Sequence, residues 1–386
     1  MEVHMDSTCS WSRIIGLDLS KATFKGCILS GEGFVQRKNF SGEMRQDKSG
    51  YVLINNTIQD GDLVLMEAGS STFNLARYLL RNSKAMDVVV LNPANLRIIW
   101  DSQKKNDKAD AMKIACIARD MRPEAWPRVS VPSEQEQSER SVIMHWIFLR
   151  KQETMLCNRF FALFNGLGFP EIDKSHLKKD ADFRVQTIND LLSFNKLAFT
   201  DAIMLEEQIA TVQRQLAFME DRLRNICLDH PQQSLAWLSI PGIGLVNAAT
   251  LIAYIGDGSR FSKPDQLLNY AGMVPKQNQS GTVDIKGKIT KRGCTAIRRS
   301  IVQGAQVLIQ LPPTCDITRF AYRKRKECPF NGKVAVAVAN RMLRTGLALL
   351  HHNDLYRPMI EGGFDRFEKK LAANKLQALA AYLTRN

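Results

Sequence analysis

The chain has 386 residues, a formal net charge of +14 and a hydrophobic fraction of 45%. This length favours two or three domains, the hydrophobic fraction excludes a disordered protein, and the positive charge favours an extended polyanion as partner. The eight cysteines include no CxxC pair, which argues against a zinc ribbon or a disulfide framework. Neither a signal segment nor an apolar run long enough to span a membrane is present, so we expect a soluble cytoplasmic protein without a membrane partner.

The first third of the chain is predicted to form an α/β layer with a mixed sheet. Three strands come first as a meander, and after them strands alternate with helices. The predicted strands cover 13–30 (two strands), 33–40, 62–68 and 87–93, and the predicted helices cover 43–59 and 71–82. A further helix then carries the segment KKNDKADAMKIA, residues 104–115.

Four acidic residues stand out in this part because each interrupts or ends an apolar pattern. Asp18 lies within the strand pattern IIGLDLS, and Glu67 ends the apolar run LVLME. An unpaired charge in a buried strand is costly, so these acids need a partner. On a helix Asp107 and Asp110 fall on the apolar face, directed at the same sheet.

Two interpretations of the helical pair remain open at this point. In one, Asp107 caps the helix and Asp110 pairs with a nearby lysine. In the other, the end of the fourth strand adjoins the first strand, and all four acids meet. Four such carboxylates repel one another unless cations lie between them, and two Mg²⁺ ions would suit oxygen ligands and polarise a phosphodiester. We favour the metal site because the four acids share one kind of placement.

The middle of the chain is predicted to be helical. A proline-rich stretch at 122–134 marks a boundary, and about a hundred residues of helical pattern follow. Within them a heptad seam runs through Leu205, Ile209, Val212, Leu216, Met219, Leu223 and Ile226. Such a seam fits a helix packed within its own domain, and it equally fits an intermolecular or antiparallel coiled coil.

The last part of the chain has features of a nucleic-acid-binding domain. The PGIG turn at 241–244 lies between two helical patterns, as in a helix-hairpin-helix. Seven basic residues and one acid follow between Lys276 and Arg299, and a second basic run at 319–327 contains Phe320 and Tyr322. Each run fits a solvated surface, but both together favour nucleic acid.

These segments carry a family resemblance. GLDLSKATF, LMEAGSSTF and KNDKADAMKIA resemble, in this order, the DEDD signature of a RuvC-like, ribonuclease-H-type domain. The block from PGIG to CTAIRR resembles the C-terminal domain of the same proteins, the transposases of the insertion-sequence one-ten family. The chain is most similar to the eleven-eleven branch and is related to the Piv-type DNA invertases. The resemblance extends over about residues 12–310.

The resemblance implies an architecture. An α/β ribonuclease-H-like catalytic domain is expected over 1–125, a helical coiled-coil region for oligomerisation over 126–232, and a mainly α-helical transposase domain with the helix-hairpin-helix-like turn over 233–386. It also implies a homo-oligomer, a dimer or tetramer, whose catalytic site is assembled between protomers. The expected location is the prokaryotic cytoplasm, in association with the nucleoid.

The resemblance also implies the chemistry. Asp18, Glu67, Asp107 and Asp110 would be catalytic and would bind Mg²⁺, two ions per site, and Ser280 of the QSG block would be the nucleophile. The partners would be donor and target DNA and a structured guide RNA made from the ends of the element. The basic residues expected to contact nucleic acid are Lys276, Lys286, Lys288, Lys291, Arg292, Arg298, Arg299, Arg323, Lys324 and Arg325.

The function expected is therefore site-specific DNA recombination, with strands cut and rejoined through serine. An alternative is a RuvC-like junction endonuclease that acts by metal-dependent hydrolysis and needs the four acids but no serine. A non-enzymatic nucleic-acid scaffold is a third hypothesis, which the placement of acids in apolar strands disfavours.

Overall fold

The computed structural model describes residues 11–39, 44–69, 71–93, 107–280, 283–358 and 363–383. For 107–109, 277–280, 283–287 and 364 it describes the backbone alone. The chain divides into two compact units, Met1–Glu134 and Gln135–Asn386. The division into three domains stays a prediction.

The first unit contains a mixed sheet, as predicted. Its strands are β1 (Arg13–Leu19), β2 (Thr23–Ser30), β3 (Gln36–Asn39), β4 (Met44–Arg45), β5 (Asp62–Glu67), β6 (Asp87–Leu91) and β7 (Arg128–Val129). The sheet runs in the order β3-β2-β1-β5-β6-β7, and β4 pairs with β2. β1, β5 and β6 are parallel to one another, whereas β2, β3 and β7 pair antiparallel with their neighbours.

Helices cover both faces of this sheet. They are α1 (Lys48–Thr57), α2 (Thr72–Asn82) and α3 (Asp107–Asp120). One apolar layer joins the sheet to α1 and α2, and another joins the opposite face to α3. The carboxylate of Asp47 accepts hydrogen bonds from the backbone amides of Ser49 and Gly50, which fixes the start of α1. This arrangement is compatible with the ribonuclease-H-like start that was expected.

The second unit is mostly helical. Its helices are α4 (Glu134–Gly166), α5 (Lys174–Lys179), α6 (Ala181–Leu192), α7 (Lys196–Asp229), α8 (Pro231–Ser239), α9 (Leu245–Ile255), α10 (Pro264–Ala271), α11 (Thr295–Ile309), α12 (Asp316–Glu327), α13 (Asn331–His352) and α14 (Phe364–Ala373). The first residue of α4, Glu134, is the last residue of the first unit. An antiparallel hairpin, β8 (Pro275–Ser280) and β9 (Val283–Ile289), was not predicted.

The heptad seam on α7 is buried within the chain, antiparallel to α4. Its first residues pack with Phe160 and Phe164, the middle ones with Leu149, and the last ones with Ile143. Of the alternatives that the seam left open, packing against a helix of the same chain is the one observed. A coiled coil between protomers stays a prediction. It would have to use other residues, because those of the seam are already buried within the chain.

The PGIG turn connects α8 to α9. Gly242 has a φ of 82°, and a Cβ added there would lie 2.4 Å from the carbonyl oxygen of Gly304 on α11. Packing against α11 therefore requires this glycine, and a contact of the turn with phosphate stays a prediction. Within the described ranges, no helix is long and apolar enough to cross a bilayer.

Candidate active site at the carboxyl ends of β1 and β5

Asp18 and Glu67 lie beside each other on neighbouring parallel strands. The register between β1 and β5 runs from Arg13 opposite Asp62 to Leu17 opposite Met66, so the next pair is Asp18 and Glu67. Both are partly buried and come at the carboxyl ends of their strands. Successive side chains of a strand point to opposite faces of the sheet. By this alternation, both acids lie on the same face as the residues that pack against α3.

Gly16 determines how closely α3 approaches this end of the sheet. A Cβ at Gly16 would lie 2.1 Å from the carbonyl oxygen of Ala111 and 2.7 Å from the amide nitrogen of Ala115. The helix backbone therefore rests directly on β1, which only glycine permits. The sequence contained this signal, a glycine inside an apolar strand, but the prediction did not use it.

The direction of α3 places its first turn near the two acids. Trp11, before β1, contacts Trp126 with ring centroids 5.5 Å apart, and the Trp126 indole donates to the carbonyl oxygen of Met121 after α3. The end of the helix thus lies near the start of β1, while Ala111 lies over Gly16. The helix runs antiparallel to β1, so the turn that begins at Asp107 lies toward the strand ends that carry the acids.

Within that turn Asp110 forms an ion pair. Its carboxylate accepts a hydrogen bond from Lys113 Nζ at 3.0 Å, with side chains 33% and 24% exposed. Of the first interpretation above, the part that pairs Asp110 with a lysine is therefore observed. The side chain of Asp107 lies outside the described residues. Among the side chains described, no three acidic, histidine or cysteine groups converge closely enough to hold a metal.

The donors present nevertheless suit a hard divalent cation. Asp18, Glu67 and Asp110 offer only carboxylate oxygens, the ligand type that Mg²⁺ prefers. They come from two adjoining strand ends and the first turn of the helix over them. A divalent cation between two adjacent carboxylates would offset their mutual repulsion. The chemical type of these ligands therefore fits Mg²⁺.

A threonine that the prediction missed holds the segment after Glu67. The Thr72 hydroxyl donates to the Glu67 carbonyl oxygen at 2.8 Å and accepts from the Gly69 amide at 3.0 Å. Thr72 is buried, with 1% of its surface exposed, so it fixes the chain where β5 leaves the sheet. Its signal was a hydroxyl residue at the start of a helix pattern.

Ser280 lies in the other unit, at the end of β8. Its backbone pairs with Val283 across the β8–β9 hairpin, which places the residue at the hairpin tip. Its side chain and that of Lys286 lie outside the described residues. The acids and the serine thus belong to different compact units.

Most of the predicted nucleic-acid contacts are on the surface. The exposed ones are Lys276, Lys288, Lys291, Arg292, Arg299, Arg323 and Arg325. Arg298 is partly buried and donates to the carbonyl oxygen of Ala271 at 2.8 Å, and Lys324 pairs with Glu327 at 2.6 Å. These two basic residues therefore have structural partners within the chain.

Two family models match the chain. One, described as transposase of the IS116/IS110/IS902 family, matches residues 236–317, and a transposase model for the DEDD type of IS110 matches residues 15–160. The second match spans all four acids, and the first spans Ser280. A DEDD-type domain implies dependence on divalent metal in general, and a transposase implies a DNA partner.

Curated relatives agree with these matches. A probable family 20 transposase of Pseudomonas aeruginosa is 27% identical over 66% of this chain and 75% of its own length. The transposase of insertion sequence element IS1111A of Coxiella burnetii is 23% identical over 89% of this chain and 91% of its own length. The pilin gene-inverting protein of Moraxella lacunata is 22% identical over 88% of this chain and 96% of its own length. With the domains of that family in the expected order, the chain belongs to the IS110 family of insertion-sequence transposases.

Proposed function

We propose that this transposase is a site-specific recombinase that cuts and rejoins DNA through Ser280, assisted by Mg²⁺ held by Asp18, Glu67, Asp107 and Asp110. One observation carries the proposal. Asp18 and Glu67 adjoin on parallel strands, on the face covered by the helix that begins at Asp107.

The four acids have one shared task in this proposal. Bound divalent ions would neutralise the charge that builds up on the phosphate and polarise the phosphodiester. Asp18 and Glu67 would hold them from the sheet, with Asp107 and Asp110 opposite. Lys113, already paired with Asp110, would orient that carboxylate.

Ser280 determines the type of product. Its hydroxyl oxygen would attack phosphorus and displace one strand oxygen, while the hydroxyl proton leaves to a base. The resulting phosphoserine diester keeps the energy of the cut bond. Attack by a strand hydroxyl would then reverse the exchange, rejoin the DNA and release serine. Its position at a hairpin tip suits a residue that must reach a phosphate.

The resemblance adds a guide RNA and a homo-oligomer to the proposal. Sequence selection would reside in base pairing, while the protein contacts shape and backbone. The net charge of +14 and the exposed basic residues of the second unit support a nucleic-acid load. Because the α7 seam is buried within one chain, any dimer or tetramer would use other surfaces.

Trapping of a covalent protein–DNA adduct tests the proposal. With donor DNA, guide RNA and Mg²⁺, the unaltered protein should form an adduct that maps to Ser280. Ser280→Ala should abolish both the adduct and strand cutting, and Asp18→Asn should lower cutting by at least about 100-fold, as for other groups that act on transition-state charge. Removal of divalent ions with EDTA should have the effect of Asp18→Asn.

The alternative, a hydrolytic junction endonuclease, predicts a different pattern. In that case Ser280→Ala cuts as well as the unaltered protein while Asp18→Asn does not, and no adduct forms. Unaltered cutting by both Asp18→Asn and Glu67→Gln would instead exclude any catalytic role for the acid site.

A further inference from the structure

The surface of α12 combines cations with an exposed aromatic ring. Arg319, Tyr322, Arg323 and Lys326, spaced for one face of a helix, are all exposed; we term them the basic-aromatic stripe. The opposite face of α12, with Ile317 and Ala321 at 1% and 2% exposure, packs in the core. Packing therefore holds the helix rigidly and leaves the stripe on the surface.

The charges of the stripe are only partly offset within the chain. Arg319 pairs with Asp316 at 2.7 Å. No carboxylate in the described part of the chain lies within ion-pair distance of Arg323 or Lys326. Glu327 interacts electrostatically with Arg323 without forming an ion pair with it. The stripe therefore keeps a net positive charge, which favours an anionic partner.

Two exposed aromatic rings each have a cation over one face. Tyr322 is 50% exposed, and Lys326 Nζ lies 4.6 Å from its ring centroid. Phe330, four residues beyond Lys326, is 62% exposed and has Lys333 Nζ 4.9 Å from its centroid. The ring face opposite the cation offers a base a stacking surface, and the cation offers its phosphate a counter-charge.

An open groove adjoins the stripe. It has a volume of about 530 Å³, within the range of small-molecule sites. Arg341 of α13 lines it together with Tyr322 and Arg323. A single unstacked base thus has room beside the ring.

We infer that the basic-aromatic stripe binds unpaired nucleotides, with Tyr322 stacking on a base and Arg323 contacting the backbone. Bases inside a duplex have no free face, so an exposed ring discriminates in favour of single strands. The stripe begins at Arg319, beyond the last residue of either family match, 317. The inference rests on the proposed function for the origin of the strand, which is either an opened DNA substrate or an RNA loop.

Binding of labelled oligonucleotides to the full-length protein tests this inference. The probes are dT and U oligomers of about twelve nucleotides, within the site sizes of single-strand binders, and a mixed-sequence duplex. Tyr322→Ala should weaken binding of dT, of U, or of both about tenfold, leave the duplex unchanged, and leave the salt dependence unchanged. Tyr322→Phe, which keeps the ring, should bind like the unaltered protein.

Arg323→Gln tests the backbone contact separately. It should reduce the slope of log K against log salt by about 0.7, the value for one phosphate contact on a single strand. Phe218→Ala, at a ring on α7 that is 62% exposed, and Lys369→Gln, at an exposed cation on α14, are the matched controls and should change neither quantity. Unaltered thermal unfolding verifies that each variant is folded.

The outcomes separate the inference from the proposed function. If Tyr322→Ala weakens binding of the dT oligomer alone, the bound strand is DNA, and if it weakens binding of the U oligomer alone, the strand is RNA. Weaker binding of both oligomers means that the stripe accepts either kind of strand. Unchanged single-strand binding by Tyr322→Ala, an equal loss on the duplex, or an equal loss in Tyr322→Phe overturns the inference. If the covalent DNA adduct still maps to Ser280, and Ser280→Ala still abolishes strand cutting, the proposed function stands without it.

Discussion

At the scale of single residues, the candidate site depends on an absent side chain as well as on its acids. Gly16 permits backbone contact between β1 and α3. Backbone atoms of Ala111 and Ala115 occupy the space that a Cβ atom at position 16 would need. A backbone atom cannot move aside as a flexible side chain does. The distance between the helix turn with Asp110 and the sheet is therefore set at Gly16.

Gly16→Ala should destabilise the protein and disable the site together. The added methyl must displace α3, an overpacking that costs about 1–3 kcal/mol, and it moves the first helix turn away from Asp18. Denaturant unfolding should show the loss, and strand cutting should fall with it. Gly332→Ala is the control: nothing lies within 4 Å of a Cβ there, so stability should stay equal or rise. Equal stability of both variants would contradict the contact.

At the scale of elements, His230 connects the long helix α7 to α8. Its imidazole contacts the Glu139 carboxylate of α4 at 2.8 Å, and Gln135 donates to the same carboxylate at 3.0 Å. The hydrogen bond to Glu139 raises the pKa of His230 above its ordinary value of 6.5, against an opposing effect of burial. Asp229 and Glu136 nearby act in the same direction. Only the protonated imidazole forms the full ion pair.

This raised pKa predicts a pH dependence of stability. Protonation favours the folded state, so the contribution is fully present below the unfolded pKa of about 6.5 and is lost as pH rises through the higher folded pKa. The free energy of unfolding should fall over that window, and His230→Gln should remove the fall. His145→Gln, at an exposed position on α4, should keep it. A fall that persists in His230→Gln would place its origin elsewhere.

The elements also show what the sequence could predict. The longer strands and helices of the first unit followed from apolar patterns, and with them the expectation that Asp18 and Glu67 are neighbours. The two-residue strands β4 and β7 did not, and β4 lies where the sequence predicted the start of a helix over 43–59. The partner of the α7 seam did not follow, because a heptad pattern fixes a buried face but not the chain that covers it. The β8–β9 hairpin escaped prediction since QNQSGTVDIKGK has few apolar residues, and its pairing is carried by the backbone. The pairing of Asp110 with Lys113 was one of two interpretations that spacing alone could not separate.

At the scale of the whole molecule, the proposed chemistry draws on both units. The acids belong to Met1–Glu134 and Ser280 to Gln135–Asn386. If the working site combines the acids of one protomer with the serine of another, two differently inactivated chains can supply one intact site between them.

Mixing of variants tests this assembly. Asp18→Asn and Ser280→Ala, each inactive alone, should regain part of the cutting activity when co-expressed. Asp18→Asn mixed with Glu67→Gln should regain none, because both substitutions damage the same unit. Recovery in the second mixture, or none in the first, would contradict a site shared in this way.

The parallel register of β1 and β5 also bears on how gene copies of such an element decay. Side chains alternate faces along a strand, so loss of one codon between 13 and 17 shifts Asp18 by one place in the register. The carboxylate would then point into the layer beneath α1 and α2, although the translated sequence still contains every acid. A genomic survey that counts intact acidic positions would score that copy as active. If Asp18 is catalytic, as proposed, the spacing from the first strand residue to Asp18 is as diagnostic of a functional gene as the aspartate codon itself.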